Sequence, residues 1–457
     1  MFELIKGRPL YVKITNYLLQ KLDDHITKNL SFLKDKKLLI ACSGGVDSVV
    51  LASLLHRLEY TIGLAHCNFS LRGKESDGDE DFVEDLAGKL EIPVFSETFD
   101  TKTYAKKHKL STQVAARELR YTWFEELLAD FKFDYVLTGH HTDDDLETFI
   151  INLSRGTGLR GLTGIPMLND KIVRPLLCFG REEIVKYAKE NKLYWREDSS
   201  NSEVDYLRNK LRIETIPKYK EAAPGLLQSF QKSRKHLEDS QNLIEDYMVL
   251  VSNLVISEFS DGYQINIQKL QELPNTSALI YELLSPFGFT DFSALLDLLT
   301  AQSGKQVFSG SHRLLKDRNS LLLTENPKKE AEKGEVSELF ISENENKIDK
   351  PIALEFKSTK KIGDITNSTV YVDKDKIHYP LHLRKWREGD VFQPLGMKGK
   401  KKLSKFFKDE KLSLVAKEKI WVLCSGDEII WIVNFRMSDR FKVQAATKEI
   451  LKIVTSI

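Results

Sequence analysis

Cysteine is scarce in this chain, and no two cysteines lie close together. The 457 residues include 4: Cys42, Cys67, Cys178 and Cys424. None forms a C-x-x-C pair, so a zinc knuckle, an Fe–S centre and a disulfide framework lack support, and a reducing, cytoplasmic setting fits. Neither sign of charge is in excess. The count of 68 Lys+Arg against 67 Asp+Glu leaves +1, so any nucleic-acid surface must be a local patch. No apolar run is long enough to span a bilayer, and Met1–Leu10 lacks a signal-peptide pattern, so no membrane partner is expected. No internal repeat stands out. What remains is a soluble globular composition, 41% hydrophobic and 30% charged, on a chain too long for a single core.

The most informative stretch is Ser43-Gly44-Gly45-Val46-Asp47-Ser48. It lies between two apolar runs, Leu38–Cys42 and Val49–Leu55, which reads as strand, turn and helix. Adjacent glycines let several backbone N–H groups face one anion, and serine hydroxyls and a helix N-terminus add to that field. The loop therefore reads as a phosphate cradle. It is not a Walker A loop, because no Lys-Ser or Lys-Thr follows the glycines. A carboxylate beside phosphate needs a cation between them, which makes Asp47 a candidate Mg²⁺ ligand. The plain alternative is a capped helix with an acidic first turn.

Strand candidates (Leu38–Cys42, Thr61–Cys67, Pro93–Phe99, Tyr135–His140) alternate with helix candidates (Asp47–Leu58, Ser76–Leu90, Thr112–Phe131, Asp143–Ser154, Arg181–Asn191). A further helix is expected across Tyr11–Leu30. The alternation predicts an α/β fold, a doubly wound parallel sheet, over residues 1–217. Ser43, His66 and His140 then fall at carboxyl ends of strands, where such sheets bind ligands. Residues 218–325 read as a mostly helical domain with one hairpin around Asp317-Arg318-Asn319. Residues 326–350, rich in Glu, Lys and Asn, read as a linker, and 351–457 as a small α+β domain.

A second cluster, His140-His141-Thr142-Asp143-Asp144-Asp145-Leu146-Glu147, closes a strand and opens a helix. Asp143 is the expected N-cap, and Asp144 and Glu147 share a helix face. Paired carboxylates there suit a cationic substrate or a proton relay. Arg155–Gly161 is another Gly-rich, basic stretch that suits phosphate, or a plain helix end.

The Ser43–Ser48 loop resembles the pyrophosphate loop of the N-type ATP pyrophosphatases. With it stand His66–Arg72, Ala116–Tyr121, His140–Thr148, Arg155–Gly158, Arg174–Leu177, Glu197–Asn201 and Arg208–Arg212. Arg384–Asp390, Gln393–Met397 and Lys402–Phe407 follow near the end of the chain. The ordered set resembles the tRNA(Ile)-lysidine synthase family, and the match is weak only in the middle. The resemblance departs at Phe69, where many members carry histidine, and at Asp145, where many carry glutamine.

The resemblance implies ATP and Mg²⁺ as cofactors, free L-lysine as co-substrate, and an isoleucine tRNA with a CAU anticodon as partner. The wobble cytidine would be adenylated at its C2 oxygen, then attacked by the lysine ε-amine. It implies that Ser43, Gly44, Gly45, Val46, Asp47 and Ser48 bind ATP, with Asp47 on the metal. Asp144 and Glu147 would bind lysine and accept its proton, His66 would lie near the nucleotide or the reacting base, and Arg117 and Arg120 would neutralise developing charge. Arg208, Arg212, Arg384, Lys400, Lys401 and Lys402 are the candidate RNA contacts. Ordinary pairing competes with these roles: Arg117 and Arg120 with Glu118 or Glu125, and Arg208 and Arg212 with Glu197 or Asp198. Phe392, Phe406 and Phe407 read better as core than as base-stacking groups.

Other readings remain. A tRNA sulfur-transfer enzyme on the same loop needs a cysteine pair, and an amidotransferase needs a glutaminase domain. A non-catalytic RNA-binding protein would not need an intact loop. The middle domain is expected to read the acceptor or another stem of the tRNA. The oligomeric state stays open, a homodimer included.

Overall fold

The computed structural model describes residues 17–197, 207–326 and 338–455. The chain divides into two compact units, one reaching Glu245 and the other beginning at Asp246.

In the first unit, α1 (Tyr17–Asn29) precedes β1 (Lys37–Ala41), α2 (Val46–Arg57), β2 (Thr61–Asn68), α3 (Lys74–Leu90) and β3 (Val94–Thr98). Then come α4 (Thr101–His108), α5 (Thr112–Phe131), β4 (Tyr135–Leu137), α6 (Thr142–Ser154) and the short α7 (Leu159–Leu162). The short strands β5 (Leu168–Asn169) and β6 (Ile172–Val173) lead to α8 (Arg181–Glu190). The sheet order is β3-β2-β1-β4-β6-β5. All pairings are parallel except β5 with β6. Leu38, Leu39 and Ile40 are fully buried because β1 is central and covered on both faces. Leu38 and Ile40 pack with α1, α2 and α8 on one side, while Leu39 packs with Trp123 and Phe124 of α5 on the other.

The expected strands and helices of this unit are present, with ends shifted by up to three residues, except that the start of the helix expected across Tyr11–Leu30 lies outside the described residues. The unit runs past 217 because α9 (Leu207–Lys210), α10 (Ile216–Ala222) and the start of α11 (Leu226–Val255) pack back onto α6. Leu146 of α6, Leu211, Ile216 and Phe230 form that core.

The second unit contains more strand than the sequence pattern indicated. Residues 256–325 hold their helices, but also a five-stranded sheet from Ile256–Phe259, Gly262–Asn266, Gln306–Phe308, His312–Asp317 and Ser320–Glu325. The expected hairpin is there, with Asp317 facing Ser320 across the turn. The two extra strands, ISEF and GYQIN, lack a clean alternation of buried and exposed positions, so periodicity missed them.

The stretch expected as a linker is partly folded. Among its described residues, Glu338–Ile341 pairs with Leu381–Lys385, and Lys347–Ile348 pairs with Leu354–Thr359. Ile341 is fully buried and supplies the apolar anchor that the Glu- and Lys-rich composition hid. Among its described residues, the final region holds three antiparallel sheets, of five, four and two strands, and two short helices, Leu403–Asp409 and Leu414–Glu418. Phe441 closes a short helical turn, and the last strand is Ile450–Thr455. No helix among the described residues is long and apolar enough to cross a membrane.

Candidate active site

The Ser43–Ser48 loop joins β1 to α2. Gly44 has φ +82°, a left-handed conformation that disfavours side chains. The Ser48 hydroxyl donates to the Gly45 carbonyl at 3.0 Å. At the end of β4, a Cβ on Gly139 would meet the Asp47 carbonyl carbon at 3.0 Å and the Ser48 nitrogen at 3.1 Å. Only glycine lets the second cluster approach the loop this closely. His66 is buried at the end of β2, its Nδ1 2.9 Å from the Cys42 carbonyl oxygen. It thus lies against the root of the loop.

Asp47 is unusual. Its Oδ1 is buried without a hydrogen-bond partner, and the His141 Nε2 stands 3.7 Å away. Burial raises its carboxyl pKa and Asp144 adds to this, against the opposing fields of His141, Arg181 and Arg212. A bound cation would remove that penalty, so this carboxylate fits a metal ligand.

The cap of α6 differs from expectation. The His141 ring, not Asp143, is the N-cap: its Nδ1 accepts the Asp144 N–H at 3.3 Å, while Asp144 Oδ2 accepts the His141 N–H at 3.1 Å. Asp143 is drawn away because it accepts the Arg181 N–H of α8 at 2.8 Å and pairs with Lys220 of α10.

Each acidic residue of this turn meets a cation. Glu147, almost fully buried, takes Arg212 Nε at 2.7 Å and Arg208 Nε at 2.8 Å. Asp144 takes Arg212 Nη2 at 2.8 Å. Asp145 accepts the Ile165 N–H at 2.6 Å and pairs with Arg234 of α11 at 3.1 Å. Burial would raise the Asp144 carboxyl, but His141, His140, the His141 N–H and Arg212 outweigh it and hold it below the usual range. Asp145 lacks that company, and burial lifts it to about 6 despite Arg234. Burial presses the Arg212 guanidinium down, but Glu147, Asp144 and Asp47 raise it above its ordinary value. His140 bonds Thr138 Oγ1 at 2.8 Å, and burial lowers its pKa to about 4.

The fold therefore brings Asp47, His66, Asp144, Glu147 and the loop to one end of the sheet. It also turns Arg208 and Arg212, candidate RNA contacts, toward the carboxylates of α6. Their partners are Glu147 and Asp144; of the competing partners, Asp198 lies outside the described residues, as do Ser199, Ser200 and Asn201. Arg117 is exposed and stacks on Tyr121 at 4.7 Å, and Arg120 stacks on Phe69 at 5.2 Å. Arg174 is buried and donates to the Pro166 carbonyl at 2.7 Å. Lys220 and Arg234 were missed by sequence reading. Four carboxylates within five positions demand cations, but nothing local says which distant helix supplies them. A cavity of about 830 Å³ opens beside the cluster, lined by His141, Glu147, Arg181, Lys186, Arg212 and Lys220, among others.

In the second unit, Arg384 forms a bidentate pair with Asp390 at 2.8 and 2.9 Å and is buried. Lys401 pairs with Asp409 at 2.7 Å, whereas Lys400 and Lys402 are exposed. Phe392, Phe406 and Phe407 are core residues.

Family models match at three places: a PP-loop domain over residues 15–219, a TilS substrate binding domain over 258–327, and a TilS substrate C-terminal domain over 381–453. The chain is 39% identical over 434 residues to a tRNA(Ile)-lysidine synthase of Parabacteroides distasonis, covering 93% of this chain and 97% of that one. The chain belongs to the tRNA(Ile)-lysidine synthase family. A second such synthase, from Bacteroides thetaiotaomicron, is also 39% identical, over 94% of this chain and 98% of its own. One from Porphyromonas gingivalis is 36% identical, over 90% and 92%. As a tRNA(Ile)-lysidine synthase family member the chain is a ligase built on an ATP-using PP-loop domain. Sulfur transfer fits less well. All 4 cysteines are free, and burial pushes the Cys67 and Cys178 thiols up to about 12 and Cys424 to about 11, away from reactive thiolate.

Proposed function

We propose that this chain ligates L-lysine to C2 of the wobble cytidine in a CAU-anticodon isoleucine tRNA, with ATP cleaved to AMP and pyrophosphate. The observation that carries this reading is the joining of the Ser43–Ser48 loop to the Asp144–Glu147 pair at one sheet end, in a chain similar to named lysidine synthases along nearly its whole length.

In this reading the loop N–H groups and the Ser43 and Ser48 hydroxyls hold the phosphates of ATP. Asp47 would hold Mg²⁺ with its unpartnered oxygen. When bound, the ion supplies positive charge to offset the phosphates. The cytidine C2 oxygen takes the adenylyl group and pyrophosphate leaves. The lysine ε-amine then bonds to C2, and AMP departs with that oxygen. That amine has an ordinary pKa near about 10.4, so it must lose a proton first. Asp144 and Glu147 bind the ammonium and accept the proton. Arg208 has 43% of its side chain exposed and is the partner a lysine ammonium can displace, while Arg212 stays to balance charge. His66 borders the nucleotide. Arg117 faces solvent, where a tRNA phosphate or the reacting base can reach it. Lys400 and Lys402, with Lys401, supply phosphate contacts, and residues 258–327 read another part of the tRNA, because phosphate contacts position and base contacts specify.

The test is incorporation of labelled L-lysine into transcripts of CAU-anticodon isoleucine tRNA and of methionine tRNA. Label in the first alone, lost in Asp47→Ala, is the expected result. ATP–pyrophosphate exchange without lysine incorporation would point to another nucleophile, and RNA binding with neither signal to a non-enzymatic protein.

A further inference from the structure

A network behind the pyrophosphate loop is not used by the chemistry above. The Gly44 carbonyl accepts the Arg196 N–H at 2.9 Å. A Cβ built on Gly44 would meet Phe82 at 3.3 Å, the Arg196 stem at 3.6 Å and Val83 at 3.7 Å, so the loop is seated in a socket of α3 and Arg196. The Arg196 guanidinium does not reach forward from there. Its Nε donates to Asp79 Oδ1 at 2.7 Å. Asp79 is buried, and its other oxygen takes Arg72 Nη2 at 2.8 Å. Arg72 ends the His66–Arg72 segment that leaves β2, so one carboxylate ties three separate segments to the underside of the loop.

Gly78 supports the same reading. A glycine in the middle of a helix is unfavourable relative to alanine, and α3 carries one at its fifth position. A Cβ there would stand 3.2 Å from Arg196 Nη2. The missing side chain is the notch across which Arg196 lies to reach Asp79.

We propose that Asp79 and Arg196, with the notch at Gly78, are positioning residues for ATP: they hold Gly44 so that the Ser43–Ser48 N–H groups face the phosphates. This rests on the reading that the loop binds ATP. Two hydrogen bonds to Asp79, both charge-assisted, fix a main-chain bond that itself carries no charge. Losing either leaves the loop folded but free to turn its N–H groups away.

The experiment is steady-state lysine incorporation by the full chain, with KM for ATP and for tRNA measured separately beside Tm. Asp79→Asn is expected to raise the KM for ATP about tenfold while the KM for tRNA moves less than about twofold. Gly78→Ala is expected to raise the KM for ATP although it leaves Tm unchanged or higher, since alanine favours the helix. A purely structural role could not separate those two readouts. Arg196→Lys, which keeps the main-chain bond and one charged donor, should recover part of the loss seen in Arg196→Met. Ser48→Ala serves as the control on the loop. If Ser48→Ala weakens ATP but Asp79→Asn and Gly78→Ala do not, the positioning role is overturned and the loop reading stands. If none of the three alters the KM for ATP, the loop reading falls and the proposal falls with it.

Discussion

The acidic turn of α6 and the basic stretch from Arg384 to Lys411 are both dense in charge, yet the fold treats them in opposite ways. In the first, Asp143, Asp144, Asp145 and Glu147 are all buried, and each has a named cation within ion-pair distance. In the second, Lys398, Lys400, Lys402, Lys405, Lys408 and Lys411 are exposed, and the buried member Arg384 is consumed by Asp390. Buried charges are weakly screened and cannot be left unpaired, so they hold geometry. Exposed ones are screened by salt and replaceable, so they supply affinity without fixed geometry. Under the proposed function, chemistry falls in the first setting and RNA backbone contact in the second.

That contrast breaks most visibly at the paired carboxylates. Asp144→Asn and Glu147→Gln should each lower the rate of lysine incorporation by about a hundredfold or more, with tRNA retention on filters unchanged. A loss of tRNA binding instead would mean that α6 serves the RNA rather than the reaction. Next in size is Arg384→Met. It strands Asp390 beside a half-buried surface and should cost roughly 3 kcal/mol in denaturant unfolding of the second unit, without altering the salt dependence of tRNA binding.

His140 sharpens the comparison through pH. Its folded pKa, about 4, lies below the ordinary 6.5, so the unfolded chain binds the extra proton first. The stability it contributes is full above pH 6.5 and is lost as pH falls toward 4. Between pH 7 and 5 the native protein should lose roughly 2 kcal/mol that His140→Asn retains, measured by denaturant midpoints at both pH values. Smallest is Lys400→Ala. Binding to tRNA should weaken slightly for all sequences alike, and the slope of log affinity against log salt should fall by about 1. An unchanged slope would remove Lys400 from the RNA surface.

Much of this molecule was readable before its structure. The loop Ser43–Ser48, the strand ends at His66 and His140, and the order of elements in the first unit all follow from local patterns: apolar runs, adjacent glycines and helix spacing. Cysteine placement already weakened sulfur chemistry. The reading failed where local pattern and environment part company. Asp143 has the composition of an N-cap, yet the buried ring of His141 takes that place because α8 and Lys220 claim Asp143. Glu338–Ile341 has the composition of a linker, yet one buried isoleucine secures it as a strand.

The sequence by itself determined the pieces of the site, because a Gly-rich loop and a carboxylate pair are written in consecutive residues, while the reaction class rested on the resemblance of the whole ordered motif set to the tRNA(Ile)-lysidine synthase family. Only the tertiary structure decided the partners. That Arg212 faces Glu147, that Arg234 meets Asp145, and that Arg196 lies over Gly78 to reach Asp79 are contacts between residues 65, 89 and 117 positions apart. Such pairs depend on which helix packs on which, and local periodicity carries no record of that choice.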